Sequence, residues 1–495
     1  MKQPQEAVPV ARILPILALA ALAFSLAQTS IVPAIGQLAV SLHTSTQSVS
    51  WTLTGYLVSA AVLTPVLGRL GDMFGKRRLL VVSLVLFAAG GAVAALGESL
   101  GLVVAGRVLM GAGGGIFPLC FGIIRDEFPA GRRPGAVGLV SATAGIGGGI
   151  GLLLGGLLVD HTSYKWIFWA GTAMALIAAA GAQLVLPESP VRTRGRVDVP
   201  GTVLLAIGVT VPLIAISKAS DWGWGSGRTL GLIVGGLLVL VVFGLIEQRV
   251  KEPLVDMTVL ARPPVLITNI ATLLVGFSMF GIFLLVPQLA ETPKASGYGF
   301  GVDATHAGLL MLPGSLMMIV FGPLSGALTR RYGGKLPLAL GGLLTAAGLA
   351  LLAAEHGSQA AVLGFTMVVF SGIGLAFAAM PNLIVDAVPA AQTGQATGVN
   401  ALIRSVGSSL GTQIIASILA GSVTAASPLP TDNAYSVAFG VGAAGGLVAA
   451  IAAVIIPRAS RHPVLSVPQE AGAVAQPGGP APATDRAHPD SARSR

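Results

Sequence analysis

Charged side chains are scarce in this chain. Asp, Glu, Lys and Arg together make up 10% of its 495 residues, against about 25% in a soluble domain. With 54% of the residues hydrophobic, a water-facing fold would leave large bare apolar surfaces, so an ordinary soluble enzyme is excluded. Cysteine is almost absent. Cys120 stands alone, which excludes an internal disulfide and any paired-thiol metal or redox site. It lies in an apolar run and reads as a small buried hydrophobe. Histidine is thinly scattered: His43, His161, His306, His356, His462 and His488 fall in loops, tails or run ends, far apart in sequence. No HExxH, GxSxG or phosphate-binding loop is present. Neither an enzymatic role nor a metal or cofactor is expected.

What the chain has in abundance is apolar runs. A bilayer-spanning helix needs about 20 mostly apolar residues. Fourteen candidates lie near 13–40, 48–67, 79–97, 101–124, 135–159, 166–186, 199–217, 228–247, 265–289, 305–329, 336–354, 359–385, 396–420 and 436–457. The first is too long for the apolar segment of a cleaved leader. With the N-terminus placed in the cytoplasm, only Lys165, Lys218, Arg228 and Lys294 of the 29 Lys and Arg fall in outer loops. The positive-inside rule therefore predicts a multi-pass cell-membrane protein with both termini cytoplasmic. The basic balance is then orientation charge facing anionic lipid rather than a nucleic-acid surface. Trp51, Trp166, Trp169, Trp222 and Trp224 all fall on the outer side, as interfacial anchors. Residues 458–495 run to Pro, Ala, Gly and charge and read as a disordered tail.

The chain repeats itself. At an offset of 260, Asp126, Pro129, Ala130, Gly138, Gly147 and Gly151 meet Asp386, Pro389, Ala390, Gly398, Gly407 and Gly411. At an offset of 258, Gly68, Leu70 and Gly75 meet Gly326, Leu328 and Gly333. Spans 1–6 thus return as spans 9–14, with two spans inserted. The predicted fold is all-α and polytopic, two six-helix bundles related by a pseudo-two-fold axis plus two extra central helices. The expected divisions are a tail (1–12), a first bundle (13–190), the inserted pair (191–262), a second bundle (263–457) and the tail from 458.

Three motifs carry a resemblance. Gly68-Arg69-Leu70-Gly71-Asp72-Met73-Phe74-Gly75-Lys76-Arg77-Arg78, between spans 2 and 3, couples a tight glycine turn to one acid and a basic run. Arg107 lies inside span 4, followed by Met110-Gly111. Gly147, Gly151, Gly155 and Gly156 lie in span 5, the first three on one face at i, i+4 and i+8, where they permit close helix approach. Together these resemble the major facilitator superfamily, and with fourteen spans the drug:proton antiporters within it. The resemblance implies that Asp72 helps to lock the outward-facing state by contacting the second half; the contact is expected near the N-terminal end of span 13, at Gly394–Gly398, where a helix end offers positive charge and free N–H groups. It also implies that Arg107 takes part in proton coupling. The glycine face is expected to meet the second half, around Gly314–Gly326 of span 10.

The departures are also informative. Fourteen-helix antiporters often carry an acid in span 1, where this chain has Ala27, then Gln28 and Thr29. No acid lies at a span midplane, and the charges there are Arg107 and Arg404. Candidate cavity residues are Gln28, Thr29, Tyr56, Asn269 and Asn400. Proton coupling is expected to fall to a carboxylate at a span end, Asp160 or Asp303 first and Asp126 next. The expected function is secondary active export of drugs or hydrophobic metabolites in exchange for protons. The alternative is a uniporter or importer of a small nutrient on the same fold. The substrate is expected to be small, neutral or amphipathic (anionic ahead of permanently cationic), with protons and the lipid bilayer as the other partners.

Overall fold

In hydrocarbon a chain must satisfy its own backbone hydrogen bonds, and these apolar runs do so as helices. The computed structural model describes residues 10–189, 198–423 and 429–457. Among them are fourteen helices long and apolar enough to cross a bilayer. The first bundle holds α1 (Val10–Thr29), α2 (Thr46–Phe74), α3 (Lys76–Leu96), α4 (Leu100–Glu127), α5 (Arg133–His161) and α6 (Lys165–Val185). The inserted pair is α7 (Val199–Ser217) and α8 (Gly227–Glu247). The second bundle holds α9 (Pro263–Glu291), α10 (Ala304–Tyr332), α11 (Lys335–Ala354), α12 (Gln359–Ala387), α13 (Thr393–Gly421) and α14 (Asp432–Ile455). The expected tail from 458 and the first nine residues lie outside the described residues.

Each bundle has its own apolar core. One is built from residues between Ile13 and Leu186; the other runs from Ala271 to Ile456 and borrows Ala142 from α5. The repeat is visible in the backbone. α2 and α10 are 29 residues each and sit 258 apart; α5 and α13 are also 29 each and sit 260 apart. Gly75 and Gly333, mates at the smaller offset, end α2 and α10 with φ of 108° and 84°, a region that costs glycine nothing.

The inserted pair packs as a hairpin, Gly236 of α8 lying against Pro212 and Gly208 against Leu240. α7 faces the bundles: its Leu205, Val209 and Leu213 share an apolar cluster with Ala61 and Val66 of α2 and with Val399 and Leu402 of α13. α8 adds Phe243 to the same cluster and exposes Leu238, Val241 and Leu245.

Two elements differ from the sequence reading. The first run does not continue to residue 40. α1 ends at Thr29, and a turn containing Pro33 leads into a short helix, Ile35–Ser41, because proline disfavours helical backbone in the residue before it. The glycine-rich motif after span 2 is mostly helix, not loop. Gly68 and Gly71 lie within α2, and the turn falls at Gly75 alone. The first two glycines serve close packing instead, as the seal described below shows.

Candidate substrate cavity and its closed end

The Lys- and Arg-rich end of the bundle, where α2 stops and α13 starts, is shut. Gly68 packs on the backbone of Gly394 so closely that a Cβ on either would strike the other's carbonyl; Gly394's would lie 2.5 Å from it. One turn further in, a Cβ on Gly398 would sit 2.8 Å from the Cα of Pro65. Asp72 accepts from the backbone N–H of Gly394 at 3.2 Å and of Gln395 at 2.9 Å. A buried carboxylate thus caps free N–H groups and the positive end of the helix dipole.

Around Asp72 is a buried charge cluster. Lys76 Nζ lies 3.7 Å from Asp72 and 2.7 Å from Asp126. Ser189 donates to the same Asp126 oxygen. Lys76 is therefore no loop cation; its side chain is fully buried because two acids meet it there. Arg77 and Arg78 reach the Glu188 carboxylate. Arg125 of α4 adds a second strap, donating to the Thr393 hydroxyl at 2.7 Å and to the Val388 carbonyl at 2.8 Å.

The other seam between the bundles, α5 against α10, is the pseudo-symmetric mate of this seal. Gly326 packs on the Pro134 carbonyl and Gly322 on Gly138, the repeats of the Gly68–Gly394 and Thr64–Gly398 contacts. It does not part, however. Gly149 meets Ser315, Gly308 meets Leu153, and Thr305 donates to Asp160 at 3.1 Å at the far end.

Where α2 and α13 separate beyond Gly398, a cavity of about 1260 Å³ opens, mouth included. α1 contributes Ser25, Gln28 and Thr29; α2 contributes Thr54, Tyr56 and Thr64; α13 contributes Arg404, Ser405, Ser408, Ser409, Thr412 and Gln413. Phe117 of α4, Met279 and Phe283 of α9 and Phe377 of α12 supply the apolar wall. Leu213 and Ser217 of α7 close the side between α2 and α13. The inserted hairpin is thus part of the site. No Asp or Glu is among the described lining residues, and the ionisable ones are Tyr56 and Arg404.

Of the expected cavity residues, Gln28, Thr29 and Tyr56 line it. Asn269 and Asn400 do not. Asn400 donates to the Asn269 side-chain oxygen and to Thr272, each at 2.8 Å, and pins α13 to α9 inside the second bundle. At 100° per residue Asn400 points about a third of a turn away from the Ser405–Thr412 stripe. That stripe was readable and missed: Ser405, Ser408, Ser409, Thr412 and Gln413 recur at helical spacing in an otherwise apolar span.

The glycine face of α5 needs correction. Gly147, Gly151 and Gly155 meet Ser25, Leu26 and Thr29 of α1 and Ser30 in the turn that follows it, within their own bundle. α5 carries small residues on two sides, and it is Gly138, Gly145 and Gly149 that meet α10. Gly156 faces Thr305 at 3.4 Å.

Arg107 is buried behind the cavity wall. Its Nε donates to the Thr52 carbonyl at 3.2 Å and one Nη to the Ala27 carbonyl at 2.9 Å. The guanidinium lies over the Tyr56 ring at 4.1 Å, tying α4 to α1 and α2. Asp303 caps α10 through the His306 N–H, and its side chain is two-thirds exposed. That N–H and the His306 ring hold its carboxyl below the ordinary range. Among the described residues no group of His, Cys, Asp and Glu could hold a metal ion.

The Major Facilitator Superfamily profile matches residues 17–412. The tetracenomycin C resistance and export protein of Streptomyces glaucescens is 33% identical over 398 residues, 79% of this chain and 72% of that protein. The multidrug transporter protein MdtP of Bacillus subtilis is 27% identical over 378 residues, 75% and 68% of the two chains. The solved structure of the major facilitator proton:xylose symporter bound to 6-bromo-6-deoxy-D-glucose superposes with a TM-score of 0.62 at 16% identity, covering 90% of this chain and 96% of that one.

The chain belongs to the Major Facilitator Superfamily and is a membrane transporter, not an enzyme. Its fourteen spans fit the superfamily's fourteen-helix drug antiporters.

Proposed function

We propose that this transporter exports drug-like or hydrophobic metabolites by alternating access, in exchange for protons. One observation carries the reading: a cavity lined by both halves of the repeat lies between the bundles, walled by aromatic rings and side-chain hydroxyls and shut at the basic end by Asp72 on α13. The positive-inside rule puts the basic end in the cytoplasm, so the cavity faces outward here, in the state that follows release. The export named for the Streptomyces relative supports the direction.

In this reading the α2–α13 seal is the cytoplasmic gate. Breaking it requires Asp72 to leave the N–H groups of Gly394 and Gln395. Proton binding within the Asp72–Lys76–Asp126 cluster would release that contact, because a neutral carboxyl gives up its attraction to Lys76 and to the helix end. Asp160 and Asp303 lie at the opposite end beside the unbroken α5–α10 seam.

The test uses everted vesicles from overexpressing cells with an imposed proton gradient, together with drug susceptibility of the same cells. The expected result is gradient-dependent uptake of a hydrophobic drug into the vesicles and lowered susceptibility. Transport that ignores the gradient, or that runs only inward in intact cells, overturns the reading in favour of a facilitator.

A further inference from the structure

Two arginines lie at bilayer depth, and the fold treats them differently. A guanidinium there is costly and is ordinarily matched by a carboxylate or by backbone carbonyls. Arg107 is matched, by the carbonyls of Thr52 and Ala27 and by the Tyr56 ring. Arg404 is not. It lines the cavity near the middle of α13, with its guanidinium 4.6 Å from the centre of the Phe377 ring and 5.9 Å from that of Phe117. Among the described residues its side chain has neither a hydrogen bond nor an ion pair, and no acid lines the cavity with it.

The other polar groups in the wall are mostly spent. Ser25, Thr64, Ser405, Ser408 and Thr412 each donate to the carbonyl four residues back in their own helix. Thr29 donates to the Gly148 carbonyl and Tyr56 to that of Phe24. The donors left to meet a ligand are the Ser409 hydroxyl, one hydroxyl of the Thr54–Ser217 pair, the amides of Gln28 and Gln413 and, alone in carrying charge, the five N–H groups of Arg404. A low-dielectric cavity with one fixed positive charge and no negative one repels cations and attracts anions. The two phenyl rings beside the guanidinium offer flat apolar faces next to it.

We infer that Arg404 anchors an acidic oxygen of the substrate, a carboxylate or ionised phenol borne on a flat apolar body, so that the cavity selects organic anions over cations of the same shape. The inference rests on reading this cavity as the substrate site. Arg404 is the specificity-determining residue, and a planar fork suits a carboxylate better than a point charge would.

The test compares two dyes that share one tricyclic frame with a pendant phenyl ring: ionised fluorescein, an anion, and tetramethylrhodamine methyl ester, a cation. Binding to the purified full-length protein in neutral-lipid nanodiscs is followed by fluorescence anisotropy. Wild type is expected to bind fluorescein at least about tenfold more tightly than the cation, and Arg404→Gln to lose at least about tenfold for fluorescein alone. Arg404→Lys is expected to keep the preference at reduced affinity. If the Gln variant does not fold, the wild-type preference and its retention in Arg404→Lys decide the matter. Equal or tighter binding of the cation by wild type, no binding of fluorescein, or wild-type fluorescein affinity in a folded Gln variant overturns the inference. Export is read separately in everted vesicles. A chain that binds fluorescein through Arg404 but moves nothing overturns the efflux reading and leaves this one standing.

Discussion

Replacing Asp72 by Asn removes the charge from the basic-end seal while keeping its shape. The carboxylate holds two backbone N–H groups of α13, at 3.2 and 2.9 Å, and faces Lys76 at 3.7 Å. A hydrogen bond to a charged group is worth about 1.5–3 kcal/mol. Asn keeps one acceptor and turns its own N–H₂ toward the second N–H, so one bond becomes neutral and the other is lost. The expected loss is about 2–4 kcal/mol, or roughly 30- to 1000-fold in the ratio of closed to open basic end. Spin labels at Arg78→Cys and Ala390→Cys, both exposed and on opposite sides of the seal, read that ratio by electron double resonance in a Cys120→Ala background. The short-distance population should shrink and a longer one appear, while transport falls. An unchanged distance distribution with full transport would refute the reasoning.

Three further outcomes follow from the packing. Gly151→Leu must push α1 away from α5, because even a Cβ there would lie 2.9 Å from the Leu26 carbonyl; overpacking of about 1–3 kcal/mol should lower the thermal midpoint in detergent, and a wild-type midpoint would contradict the contact. Asn400→Ala leaves the buried Asn269 side-chain oxygen without its donor, while Thr272 keeps its bond to the Thr268 carbonyl; it should cost about 1–3 kcal/mol of stability while leaving dye affinity unchanged, so a large change in affinity would place Asn400 in the cavity after all. Asp256, outside the spans, takes hydrogen bonds from Thr258, Val259 and Gln392. Burial alone would raise its carboxyl, but those bonds hold it below the ordinary value. A depressed folded value means stability present above the unfolded pKa of about 3.9 and lost as pH falls through the folded one. Asp256→Asn should therefore lower the thermal midpoint at neutral pH, and its gap from wild type should close in acid; a gap independent of pH would show that the carboxylate's charge contributes nothing.

The fourteen spans were legible because the bilayer allows so few solutions: an apolar run of that length has to be a helix. The pairing of the halves was legible from the Gly75–Gly333 and Asp126–Asp386 repeats. Helix ends were less so, since Pro33 stops α1 inside an unbroken apolar run and Gly68 continues a helix that reads as a turn. The glycine stripe of α5 announced close approach but not which neighbour would approach, and only tertiary packing decides between α1 and α10. Asn269 and Asn400 looked like cavity residues because a polar group in a span needs a partner; each found it in the other. The hydroxyl stripe of α13 carried the site at plain helical spacing, yet serine and threonine satisfy themselves on their own backbone and give a weak signal.

The lone guanidinium in an acid-free cavity also bears on energy supply. An anion held by Arg404 forms a neutral pair, so the loaded transporter can turn without dragging charge through the field. The charge moves on the empty return, when the uncovered arginine re-orients toward a negative cell interior. Each anion expelled then draws about 2.3 kcal/mol from every 100 mV of membrane potential, and each proton admitted draws the same again. On the proposed reading such a pump would run on voltage as well as on pH, and would keep working in media where the pH difference across the membrane has collapsed.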